Sequence, residues 1–67
     1  MDNRKSIRIA EITAEAVKVF GSSDMAKRWM GQMNFVLGKT PISMLESEHG
    51  AVEVRKILAS IASGGGV

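Results

Sequence analysis

The chain of 67 residues contains no cysteine, one proline, one histidine and one tryptophan. Without cysteine it can form neither a disulfide nor a thiolate metal site. The same lack agrees with a reducing compartment, and the expected location is cytoplasmic. No apolar run approaches the ~20 residues that span a bilayer, so no membrane association is expected. The basic start, Arg4 and Lys5, is not followed by the apolar stretch of a signal peptide. A single histidine, His49, excludes most metal and triad chemistry. Glu46 and Glu48 lie near it, but one nitrogen ligand rarely holds a metal, and no acidic orienter is in place. Gly38-Lys39-Thr40 is the tail of a phosphate loop without its body: Met33 sits where glycine is needed, and Pro41 follows directly. No enzyme activity, metal or cofactor is expected.

Charge of one sign is also scarce. Nine Lys and Arg stand against seven Asp and Glu, a net charge of +2. The cations Arg4, Lys5, Arg8, Lys18, Lys27, Arg28, Lys39, Arg55 and Lys56 are scattered, whereas a phosphate-binding face needs several on one stripe. DNA binding is not expected of this chain. A chain this short buries only about 60% of its unfolded surface, so association with a partner or with itself, as a homo-oligomer such as a dimer, is an expected source of stability.

What is present is helical periodicity. Lys5 to Phe20 places Ile9, Ile12, Ala16, Val19 and Phe20 on one face, and Arg8, Glu11, Glu15 and Lys18 on a solvated one. Gly21 suits the left-handed end of that helix. Ser22, Ser23 and Asp24 offer caps for a second helix over 24–32, with Ala26, Trp29, Met30 and Met33 inward. Thr40 caps a short third helix, Pro41 to Glu46, with proline in the first turn and Ile42 and Leu45 inward. Ser47 caps a fourth, Glu48 to Ala62, whose apolar stripe is Ala51, Val54, Ile57, Leu58 and Ile61. Gly50 in its first turn implies close approach of another backbone, the first or second helix. The fold class is all-α: a small compact bundle of three longer helices plus one short helix. Its structural core is read as Phe20, Trp29, Leu37, Pro41, Leu45, Val54, Leu58 and Ile61. Trp29→Ala would then cost about 3–5 kcal/mol. Phe35, Val36 and Leu37 are too apolar for a free loop; they fold back over Trp29 or meet a partner. Met33 and Met44 flank that connection, where methionine suits core filling and adaptable contact alike.

The order of these signals resembles a known family. Val19-Phe20-Gly21, Ala26, Trp29-Met30, Asn34, Leu37-Gly38, Lys39-Thr40-Pro41-Ile42, Leu45, Gly50, Val54, Leu58, Ile61 and Gly64 look like the toxin-binding C-terminal domain of MbcA/ParS/Xre antitoxins. The likeness runs from about Ala16 to Gly66. It departs from the pattern at Met33, where proline is expected, and by one residue before Lys39. The resemblance implies a single toxin-binding domain over 1–67, with 1–4 frayed, 64–67 a flexible tail, and no room for the upstream DNA-binding domain usual in the family. It implies a RES-domain toxin as partner. Such toxins consume NAD, and the antitoxin blocks their pocket without doing chemistry. Toxin contacts are expected at Arg55, Lys56, Ser60, Ser63, Gly64, Gly65, Gly66 and Val67. The alternatives are a helical homo-oligomerisation module and a basic nucleic-acid-binding module.

Overall fold

A computed structural model describes residues 3–64 of the chain. Four helices follow one another: α1 Arg4–Phe20, α2 Ser23–Gly31, α3 Pro41–Met44 and α4 Glu48–Ala62. Each junction has a local cause. Gly21 closes α1 in the left-handed region, at φ 75°, and donates its N–H to the Val17 carbonyl at 2.7 Å; only glycine enters that region without a Cβ penalty. Ser22 starts α2 by accepting the Met25 N–H at 3.3 Å. Thr40 and Ser47 cap α3 and α4 in the same way, through Ser43 N–H at 3.4 Å and Gly50 N–H at 3.0 Å. Pro41 occupies the first turn of α3, where its missing N–H leaves no bond unmade.

Helix α1 packs against both α2 and α4, while α3 bridges α2 to α4. The core is apolar throughout: Ile12 and Ala16 from α1, Ala26 and Met30 from α2, Leu45 after α3, and Ala51, Val54 and Leu58 from α4. Pro41 is fully buried beside it. Three alanines among these residues let helix axes approach closely. No buried side-chain polar atom among the described residues lacks a hydrogen-bond partner, so the core carries no desolvation penalty of that kind.

Several expectations need correction. Arg4, expected to fray, is already helical, with the Ile7 N–H on the Asn3 carbonyl at 3.0 Å. Met1 and Asp2 lie outside the described residues. Helix α2 begins and ends one residue early, and α3 stops at Met44, so Glu46 belongs to a turn. Ile42 and Met33, expected inward, are exposed at 39% and 67%. Met33 lies beyond the end of α2, where the chain has left the register that aimed Ala26 and Met30; Ile42 sits in the single-turn α3, which buries Pro41 instead. Trp29 is half-buried; it tilts against Phe20 with ring centroids 5.6 Å apart and covers the core from outside. Phe20, Leu37 and Ile61 are likewise half-buried, whereas Leu45, Val54 and Leu58 are buried.

Gly50 does meet another backbone, but that of α3 rather than α1 or α2. A Cβ there would overlap the Met44 carbonyl oxygen and lie 2.8 Å from its carbon. The chain turns back within three residues of α3, with Ser47 N–H reaching the Met44 carbonyl at 3.5 Å, and this sets the first turn of α4 directly against it.

Candidate interaction surface

The outward residues of α4 divide between two flanks. On the flank toward α1, Arg55 bonds to Glu15 through Nε at 3.2 Å and to Glu11 through Nη2 at 3.5 Å. Arg55, read from the sequence as a partner contact, therefore already joins α4 to α1 through partly exposed ion pairs. Nearby, Arg8 is withdrawn from the solvated stripe assigned to it, with a side chain only 12% exposed. Its Nε donates to the Leu45 carbonyl at 2.8 Å and its Nη2 to the Glu46 carbonyl at 3.1 Å. Nη1 lies 3.6 Å from Glu48. Arg8 thus serves the carbonyls at the C-terminal end of α3, where a cation also meets the negative end of the helix dipole. Lys5 adds an ion pair to Glu46 at 2.7 Å.

The opposite flank is open. A groove of about 440 Å³ runs between the connection after α2 and the outer face of α4, lined by Val36, Leu37, Glu53, Lys56, Ile57, Ser60 and Ile61. Two of the expected contact residues, Lys56 and Ser60, lie in it. Lys56 pairs loosely with Glu53 one turn away, at 3.4 Å. Ser63 lies at the end of α4, its hydroxyl donating to the Ser60 carbonyl at 3.0 Å. Gly64 follows in the left-handed region, at φ 76°, with its N–H on the Ile61 carbonyl at 3.1 Å. Gly65, Gly66 and Val67 lie outside the described residues. Among the described residues, Lys56 and Ser60 share the groove, while Arg55 lies on the α1 flank.

The groove's other wall was read from the sequence as folding back over Trp29 or meeting a partner, and no contact residue was assigned to it. Phe35 is 101% exposed and Val36 81%, so neither folds over Trp29; only Leu37 packs on the core. The one signal pointing to this wall was the run of three apolar residues outside any helical period.

Among the described residues no three His, Cys, Asp or Glu side chains stand close enough to hold a metal. No described helix is long and apolar enough to cross a membrane. This surface presents apolar walls, a sparse charged rim and a helix end.

Sequence comparison gives the class. Residues 15–64 match the Antitoxin Xre/MbcA/ParS C-terminal toxin-binding domain, and the chain belongs to that family. The match takes in the last six residues of α1, all of α2 and α3 with the connection between them, and α4 through Gly64. Among characterised proteins, the chain is similar to Antitoxin Xre of Pseudomonas putida, with 37% identity over 67 residues, which is 98% of this chain and 42% of that protein. The chain thus spans less than half the length of that relative. No solved structure matches.

Proposed function

We propose that this chain is the toxin-binding part of an antitoxin that occludes the NAD-consuming pocket of a RES-type toxin and performs no chemistry itself. The observation that carries this reading is the family match over 15–64. The outer face of α4, with Lys56 and Ser60 beside an apolar groove, supports it physically. A helix ending in a glycine turn is slender enough to approach a cleft, because glycine leaves no side chain in the way. The contacts would run from Lys56 and Ser60 to Ser63 and Gly64, and on through Gly65, Gly66 and Val67. Arg55 contributes only after giving up its bonds to α1.

Neutralisation in cells tests this. Co-expression with a RES-domain toxin should restore growth and hold cellular NAD at its normal level. Removing 64–67 should leave the helical fold intact while weakening that rescue. Continued NAD loss in the presence of the intact, folded chain would refute the reading. Equal rescue by the shortened chain would remove the tail from it.

We also propose that the chain self-associates, in the cytoplasm, through the cleft between α1 and α4. Ile7 and Val52 flank that cleft and stand 55% and 50% exposed. Sedimentation of the purified chain checks this, and a strict monomer at all concentrations would defeat it.

A further inference from the structure

The connection after α2 is a built turn. Asn34 accepts the N–H groups of Val36 and Leu37 on its side-chain oxygen, at 2.9 and 3.2 Å. Its backbone pairs with Lys39 in an antiparallel bridge, with Asn34 N–H on the Lys39 carbonyl at 3.0 Å. Gly38, at φ 71°, donates to the Asn34 carbonyl at 2.7 Å and closes the loop. The hydrogen bonds fix the backbone, Leu37 anchors it inward, and Phe35 is left at the tip with its whole surface in water. A fixed turn that displays a bare aromatic ring has the properties of an interface anchor: large apolar area, few rotamers to freeze and little ordering left to lose on binding.

The position of this tip names its occupant. Val36 and Leu37 form one wall of the groove whose other wall carries Lys56 and Ser60. The tip therefore continues the α4 surface, and both lie within the matched toxin-binding domain. We propose that Phe35 is a second anchor for the toxin, seated in an apolar recess of that protein while α4 occupies its cleft. This rests on the RES-toxin reading above.

Titration of the full chain into a purified, catalytically inactive RES-domain toxin tests it. Phe35→Ser should melt as the parent chain does, since the ring packs on nothing, and should bind about 30-fold more weakly or worse. Asn34→Ala, which keeps every apolar atom but frees the turn, should lose less. Asn34→Asp retains the acceptor and should bind as the parent does. Parent-like affinity of a folded Phe35→Ser chain would overturn the anchor and leave the toxin reading standing. Failure of the parent chain itself to bind would overturn both. Phe35→Ser sedimenting as a smaller species with unchanged toxin affinity would also overturn the anchor, because a second copy would then be what covers the tip.

Discussion

The segments on either side of α3 are ordered by different means. After α3, Leu45 and Glu46 are held by Arg8 and Lys5, residues 37 to 41 positions earlier in the chain. Before α3, the hydrogen bonds of the loop run among residues 34–39, within one short piece of chain. The first segment also has local backbone bonds, but its outer carbonyls are satisfied only when the bundle forms, and its residues face inward or toward α1. The second needs the bundle only to seat Leu37, so its tip can face solvent without loosening the fold. Long-range ties build the domain, and local ties present a surface on it.

The largest break in this comparison is expected from Gly50→Val. A side chain there meets backbone, which cannot rotate aside, so α3 and α4 must separate. Overpacking costs about 1–3 kcal/mol even where neighbours can yield, and here the yielding atom is the Met44 carbonyl. Circular dichroism should show a chain that fails to fold or melts far lower. Trp29→Ala comes next, at about 2–3 kcal/mol by chemical denaturation. That is below the about 3–5 expected of a fully enclosed ring, because the indole is half-exposed. Arg8→Ala should cost about 1–2 kcal/mol by leaving the Leu45 carbonyl without its charged donor. Its effect should fall on α3 and the start of α4, read as faster amide exchange there than in α2. Arg55→Ala is the smallest, below about 1 kcal/mol and fading as salt rises, since its ion pairs are half-exposed.

The four helices, and their starts to within a residue, were readable in advance because each depends on neighbours in sequence. Ser22, Thr40 and Ser47 cap within three residues, Pro41 suits only a first turn, and Gly21 supplies its own left-handed φ. The apolar stripe of α4 was visible at helical spacing for the same reason. What escaped depends on residues far apart. Arg8 and Glu11 look alike in sequence, as charges on one polar stripe, yet one reaches the end of α3 and the other an arginine of α4. Phe35 and Leu37 look alike too, since outside a helix no period says which of two apolar residues turns inward. The close approach at Gly50 was legible as a need for glycine, but its partner was not, because the reversal after Met44 is set by packing rather than by local sequence.

The interior formed by Ala16, Ala26 and Ala51 with a few aliphatic side chains contains no group that distinguishes one binder from another. Whatever discriminates between cognate and foreign targets must therefore reside in side chains whose replacement leaves the bundle standing. If Phe35 and Lys56 hold the toxin as proposed, such a domain can exchange its allegiance in single steps, by a changed side chain at position 35 or 56, while the scaffold continues unchanged.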